Sequence, residues 1–163
     1  MIKNGKVRIL FICLGNICRS PAAQGVMQQM VDDRGLAHRF SIDSAGIGGW
    51  HTGNLPDARM RRHGKKRGYD FSHRARQFDA ATDFDEFDLI VTMDEQNHRD
   101  ITRMASDDDD RRKVVRMSDY LKAHPNATSV PDPYYGGEQD FELALDLIED
   151  GCGNLLKELV CTN

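Results

Sequence analysis

Cys13 and Arg19, with five residues between them, lie in the run Val7-Arg8-Ile9-Leu10-Phe11-Ile12-Cys13-Leu14-Gly15-Asn16-Ile17-Cys18-Arg19-Ser20-Pro21. The run reads as a buried strand, a tight loop and a helix start. That order places a thiol and a guanidinium around a cradle of backbone N–H groups. Such a cradle can hold a phosphate and let the thiol attack it.

The spacing alone discriminates little, because a cysteine and an arginine fall at this separation by chance in many chains. The context makes it specific. The apolar run before Cys13 fits a fully buried parallel strand. Ser20-Pro21 predicts a helix start, with Ser20 as N-cap and Pro21 at the first helical position. Gly15 permits close backbone approach, and Asn16 tolerates a left-handed conformation. Loop amides and a helix N-terminus together make an anion nest. The same groups, with Arg19, favour a thiolate at Cys13, the form of a thiol that attacks. Arg19 would bind two phosphate oxygens through its planar fork, a geometry lysine lacks. A bare arginine at a helix N-terminus would be unfavourable without an anion to bind.

The elements that must position this loop alternate along the chain. Strands are predicted near Val7–Cys13, Phe40–Ser44, Asp88–Met93 and Val114–Met117. Helices are predicted from Pro21 to Asp33, Pro56 to Lys66 (ended by Gly68), Glu95 to Met104 and Glu138 to Val160. Gly151 and Gly153 weaken the middle of the last helix. Alternating βα units imply an α/β fold with a parallel sheet and helices on both faces. Ligands in such sheets sit at the carboxyl ends of the strands, where Cys13 falls. The run Asp107–Asp110 before Arg111-Arg112-Lys113 reads as a solvated loop, without the spacing of a calcium loop.

Cys-Leu-Gly-Asn-Ile-Cys-Arg-Ser at 13–20 resembles the phosphate-binding loop of the low-molecular-weight protein tyrosine phosphatases. Further segments resemble the family in order: Asp43-Ser44-Ala45-Gly46, Gly49-Trp50-His51, His73-Arg74-Ala75-Arg76-Gln77, Met93-Asp94 and Asp132-Pro133-Tyr134-Tyr135. The resemblance runs from about Lys6 to the C-terminal helix. It implies one phosphatase domain over residues 1–163, in three layers, with a central four-stranded parallel sheet in a Rossmann-like arrangement.

The resemblance also implies roles. Cys13 is the nucleophile, Arg19 the phosphate clamp and Asp132 the general acid and base. Tyrosine leaves poorly because its phenol has a pKa near 10, so an acid must protonate the departing oxygen. Leu14, Gly15, Asn16, Ile17, Cys18 and Ser20 line the substrate, with Trp50, Tyr134 and Tyr135 as aromatic walls. Asn16, Ser20, Ser44 and His73 form a supporting network, and Ser20 donates to the sulfur. A second loop cysteine such as Cys18 can bond to the nucleophile under oxidation in the resembling enzymes. Tyrosines such as Tyr134 and Tyr135 can be kinase targets there. On the residues alone, Asp132 reads as a turn residue, Ser44 as a strand-end cap and His73 as a surface or satisfied core histidine. The two tyrosines read as turn packing, and Cys18 as a buried helix-start cysteine.

Composition narrows the function classes. The chain has 163 residues, 39% hydrophobic and 29% charged, which fits one globular domain burying about 70% of its unfolded surface. A net charge of −4 gives no reason to expect nucleic-acid binding. The local basic run Arg59–Arg67 reads as a solvated helix face, with a docking surface for acidic phosphoproteins as the sharper alternative. Lys3 and Lys6 before an apolar stretch mimic a signal peptide, but Arg8 interrupts it and no convincing cleavage site follows. No apolar run reaches membrane-span length. Four cysteines are too few and scattered for a disulfide framework, which favours a reducing cytoplasm. Cys161 is followed by only two residues and is not a prenylation box. The six histidines show no paired ligand spacing, and no Cys-x2-Cys occurs, so no metal or other cofactor is expected. The nucleotide-binding Gly-x4-Gly-Lys-Ser/Thr pattern is also missing.

Three rival functions fit the same loop less well. An arsenate reductase on this fold needs further cysteines to pass a disulfide outward, and none lies between Cys18 and Cys152. Phosphoarginine phosphatases resemble this loop with threonine where the chain has Ile17, which offers no hydroxyl to a guanidinium. A phosphotyrosine-binding module without catalysis would be expected to lose Cys13 or Asp132, and both are present.

Overall fold

The computed structural model describes residues 5–161. The first element is β1, Val7–Cys13, whose side chains alternate between two cores. Val7, Ile9, Phe11 and Cys13 join one apolar cluster, while Leu10 and Ile12 join another on the opposite face. A strand buried on both sides reads as a continuous apolar run, which is what 9–12 shows.

The remaining elements follow in βα order. They are α1 (Arg19–Asp33), β2 (Phe40–Gly46), α2 (Ala58–Lys66), α3 (Asp83–Glu86), β3 (Leu89–Thr92), α4 (Glu95–Met104), α5 (Asp108–Arg112), β4 (Val114–Arg116) and α6 (Glu138–Cys161). Short 3₁₀ turns cover Ala37–Arg39 and Met117–Tyr120. The four strands are parallel in the order β2-β1-β3-β4. Residues of α1 and α6 fill the first core, and Phe84 of α3 and Ile101 of α4 fill the second. The result is the three-layer α/β domain expected, with the four-stranded sheet in the middle. Strand order reverses direction at β1, so the crevice at its carboxyl end is the natural ligand position.

Several boundaries differ from the sequence reading for local reasons. Helix α1 starts at Arg19 with Cys18 at the N-cap, not Ser20. The Ser20 hydroxyl is turned toward Cys13 and Asn16 instead of a helix amide. Strand β2 runs on to Gly46 because its pairing with β1 continues to Cys13. Helix α2 starts after Asp57, whose carboxylate caps the Arg59 N–H at 2.8 Å. Strand β3 begins after Asp88, whose carboxylate accepts the Arg8 N–H at 2.9 Å. Strand β4 ends at Arg116, where Met117 opens a 3₁₀ turn.

The acidic run 107–110 is not a loop. Asp107 caps the Asp110 N–H at 2.8 Å, and Asp108–Arg111 and Asp109–Arg112 pair across one turn of α5. Helix α6 passes unbroken through Gly151 and Gly153. A Cβ at Gly151 would lie 2.2 Å from Met117 Sδ, so the missing side chain serves close packing there.

The basic run 59–67 divides between two faces. Arg61, Arg62, Lys65 and Lys66 are exposed, as a solvated helix face should be. Arg59, His63 and Arg67 turn inward. Arg67 reaches Glu142 at 2.8 Å, Asp146 at 3.0 Å and Glu149 at 2.7 Å on α6, and buried His63 Nδ1 bonds Glu142. These pairs fasten α2 to α6. Lys3 lies outside the described residues. Among the described residues no helix is long and apolar enough to cross a membrane.

Candidate active site

The loop from Leu14 to Cys18 joins the end of β1 to the start of α1. Several carbonyls along this turn are engaged by neighbouring segments. Cys13 O accepts from Ile47 N at 3.0 Å, Leu14 O from Gly48 N at 2.9 Å and Ile17 O from Asp57 N at 2.8 Å. Among the described residues, none of the N–H groups from Leu14 to Arg19 donates to a protein acceptor. With these carbonyls committed and the amides free at a helix N-terminus, the loop is an anion nest.

Asn16 sets the curvature. It is fully buried at φ 58°. A side chain that hydrogen-bonds locally makes this left-handed geometry accessible. Its carbonyl Oδ1 accepts from the Arg76 backbone N–H at 3.0 Å and faces His73 Nε2 at 3.1 Å. The Arg76 amide can only donate, so the orientation of the Asn16 amide group is fixed, and Nε2 of His73 carries a proton. Asn16 Nδ2 then donates to Ser20 Oγ at 2.7 Å and Ser44 Oγ at 3.0 Å. The Ser44 hydroxyl donates to Gln24 Oε1 at 2.6 Å. Ser20 Oγ, having accepted from Asn16, is free to donate to Cys13 Sγ at 3.0 Å. The Ala45 carbonyl, at 3.5 Å, is the other acceptor in reach of this hydroxyl. A thiolate at Cys13 can only accept, and the direction then runs from the Arg76 amide to the sulfur. Burial pushes the His73 imidazole below its ordinary range, against Asp43, which raises it.

Arg19 is almost wholly buried, at 2% exposure. Nη1 donates to Asp94 Oδ2 at 2.7 Å and to the Val130 carbonyl at 3.0 Å. Nη2 lies 3.6 Å from Asp132 Oδ2. Its Nε is buried and has no acceptor among the described residues, which suits a guanidinium that completes its bonding on an anion. Burial works against its charge, but Cys13, Asp94 and Asp132 outweigh that and hold it firmly protonated.

Asp132 faces this loop from the segment between β4 and α6. Its Oδ1 accepts the Tyr134 N–H at 3.1 Å, an Asx turn that fixes the carboxylate. Cys13, Leu14, Gly15, Ile17, Cys18, Arg19, Trp50, His51, Asp132, Tyr134 and Tyr135 line one cavity of about 400 Å³. Trp50 and Tyr135 are 70% and 95% exposed at its rim. The structure therefore brings the sequence-chosen residues together, with Asn16, Ser20, Ser44 and His73 beneath the loop. Cys18 is buried among Asp57, Cys13 and Asp132, and burial first of all pushes its thiol far up. Among the described residues, no group of three or more His, Cys, Asp or Glu could hold a metal ion.

Two residues of the site carried no functional assignment in the sequence reading. Asp94 orients Arg19, and its place directly after an apolar strand and before a helix is the signal that marks it. His51 packs over Gly15, where a Cβ would meet its ring at 3.0 Å, and its only signal is adjacency to Trp50.

Comparison with known proteins agrees with this geometry. The family model for low molecular weight phosphotyrosine protein phosphatase matches residues 8–162. A Schizosaccharomyces pombe protein of that name is 42% identical over 161 residues, covering 98% of this chain and 99% of the relative. A crystal structure of a protein tyrosine phosphatase from Entamoeba histolytica with Hepes in its active site is 40% identical, covers 94% of this chain and 97% of its own, and superposes with a TM-score of 0.90. YfkJ from Bacillus subtilis is 36% identical, with 99% of both chains covered and a TM-score of 0.90. The chain belongs to the low molecular weight phosphotyrosine protein phosphatase family.

Proposed function

We propose that the protein hydrolyses phosphotyrosine in proteins, and small aryl phosphates, through a cysteinyl-phosphate at Cys13. The observation that carries this reading is the convergence of three groups on one anion nest: a sulfur 3.0 Å from a donating hydroxyl, a buried guanidinium and a facing carboxylate.

In the first step the phosphoryl oxygens lie on the loop amides of Leu14 to Arg19 and on Arg19. Cys13 attacks phosphorus, an S–P bond forms and the P–O bond to tyrosine breaks. Asp132 gives its proton to the departing phenolic oxygen. Arg19 and the amides hold the charge of the transferring group. In the second step the Asp132 carboxylate takes a proton from water as water attacks phosphorus. The S–P bond breaks, phosphate leaves, and the Ser20 hydroxyl stabilises the departing sulfur. Asn16, Ser44 and His73 hold the loop in shape. Leu14, Gly15, Ile17 and Cys18 shape its floor, and Trp50, Tyr134 and Tyr135 give flat walls to a phenyl ring. No cofactor enters these steps. The reading extends to a reducing compartment, the cytoplasm, because the chemistry needs Cys13 as a thiol. It also includes Tyr134 and Tyr135 as targets of a tyrosine kinase, supported by the near-complete exposure of Tyr135.

The test is turnover of p-nitrophenyl phosphate and a phosphotyrosine peptide with chelator present, beside Cys13→Ser. Expected are turnover that survives the chelator, vanishes in Cys13→Ser, and prefers phosphotyrosine over phosphoserine and phosphoarginine. Turnover retained in Cys13→Ser would overturn the mechanism. Preference for phosphoarginine would overturn the substrate class.

A further inference from the structure

Asp132 is joined to the phosphate loop by an unbroken path that runs through neither Arg19 nor the substrate. Ile17 O accepts the Asp57 N–H at 2.8 Å. The Asp57 carboxylate takes the Arg59 guanidinium side-on, Oδ1 from Nε at 3.1 Å and Oδ2 from Nη2 at 3.0 Å. The same Nη2 donates to the Tyr134 carbonyl at 2.9 Å. The N–H of Tyr134 in turn holds Asp132 Oδ1. Arg59 also lies over the Tyr134 ring, 5.5 Å from its centroid, and over Phe141 of α6 at 4.7 Å. One planar group therefore grips both the backbone and the ring of Tyr134 while its Nε–Nη2 edge is fixed to the cap of α2.

We propose that Arg59 is a positioning residue that sets the pose of the Asp132 carboxylate over the phosphate loop, with Asp57 as its anchor. This rests on the reading of Asp132 as the general acid. The segment carrying Asp132 lies between β4 and α6. Before Asp132 it is tied down at buried Val130, whose N–H donates to Met93 O at 2.8 Å and whose carbonyl accepts from Arg19 Nη1 at 3.0 Å. Its height above Cys13 still needs a fixed point on the far side, at Tyr134. Arg59 supplies that reference by measuring the segment against Ile17. The fork geometry matters, because a point charge on a flexible stem cannot pair with Asp57, reach a carbonyl and stack on two rings at once. A proton donor displaced by about an ångström can lose most of its contribution, on the order of tenfold to a hundredfold.

The experiment compares wild type, Arg59→Ala, Arg59→Lys and Asp57→Asn on two aryl phosphates, one with an acidic leaving phenol and one with phenol itself. Asp57→Asn keeps a good helix cap while removing the charge that holds Arg59. Expected is a kcat loss of about tenfold or more for Arg59→Ala on phenyl phosphate, and a much smaller loss on the acidic phenol. Inhibition by inorganic phosphate and the melting temperature should change little by comparison. Arg59→Lys should remain impaired. Asp57→Asn should show the same leaving-group pattern, and the double variant should lose no more than the worse single one. Equal losses on both substrates, full rescue by lysine, or additive losses in the double variant would each overturn the inference. Asp132→Ala run alongside separates the two ideas: if it shows no leaving-group dependence, the acid assignment itself fails, whatever Arg59 does.

Discussion

Asp94 holds Arg19 at the floor of the cavity: Asp94 Oδ2 accepts from Arg19 Nη1 at 2.7 Å while Asp94 Oδ1 caps the Asn97 N–H at 2.8 Å. One carboxylate thus starts α4 and aims the guanidinium. Because β3 and β1 are neighbours in the sheet, Asp94 and Cys13 are both held at the carboxyl ends of adjacent strands. The planar fork is oriented by the sheet before any anion meets it.

Asp94→Asn keeps the cap and removes the charge. A hydrogen bond to a charged group is worth about 1.5–3 kcal/mol, so kcat/KM on a phosphotyrosine peptide should fall by roughly tenfold to a hundredfold. The inhibition constant for phosphate should rise with it, while the urea midpoint stays near wild type. An unchanged phosphate affinity would remove Asp94 from the orienting role.

Ser20→Ala removes the one hydroxyl within hydrogen-bond distance of Cys13 Sγ among the described residues and leaves Asn16 Nδ2 with Ser44 alone. The sulfur is the leaving group of the second step, so breakdown of the cysteinyl-phosphate should slow more than its formation, by about 10². Rapid-quench kinetics with p-nitrophenyl phosphate should show a clear burst in the variant. A uniform slowing of both steps would count against a leaving-group role.

Gly46→Ala brings a methyl group against backbone, not side chain. A Cβ there would lie 2.9 Å from Gly15 C and 3.0 Å from both Asn16 N and Leu14 O. The phosphate loop must shift to admit it. Overpacking of this kind destabilises by about 1–3 kcal/mol, and a loop displaced by an ångström should cost about 10² in kcat. Activity and thermal denaturation measured together should show the catalytic loss at temperatures where the variant remains folded.

Acid should loosen the joint between α2 and α6. The hydrogen bond from Arg67 holds the Glu142 carboxyl below its ordinary value of 4.5, helped by His63 and opposed by partial burial. A carboxylate depressed on folding contributes stability above 4.5 and loses it as pH falls through the depressed value. Urea midpoints measured from pH 6 down to about pH 3 should therefore fall more steeply in wild type than in Glu142→Gln. Parallel slopes would show that the pair is not linked to folding.

The loop chemistry was legible because it is local. Cys13, Arg19 and the intervening residues sit in one contiguous run, and the α4 helix, Glu95–Met104, matches its sequence-derived limits. The resemblance extended that reading to Asp132, Ser44 and His73, which come from distant segments. What could not be read is the direction of side chains. Ser20 looked like a cap because Ser-Pro usually caps, yet its hydroxyl goes to a sulfur and an amide. Arg59, His63 and Arg67 looked solvated because the run is basic, yet their carboxylate partners lie more than seventy residues on or, for Arg59, in its own cap. The acidic run 107–110 looked like a solvated loop because it is so highly charged, but its i,i+3 arginines and the Asp107 cap neutralise it within one turn.

Asn16 at φ 58° has a thermodynamic consequence. The bonds that stabilise this left-handed residue come from Arg76, His73, Ser20 and Ser44, which belong to three separate stretches of the chain. The conformational entropy of shaping the nest is therefore lost during folding, when those stretches meet, rather than during ligand capture. Affinity for a phosphoryl group then reflects its contacts more nearly than the ordering of the loop. The same dependence ties the nest to global stability, so partial unfolding that frees the 73–76 segment would abolish binding before the sheet is lost.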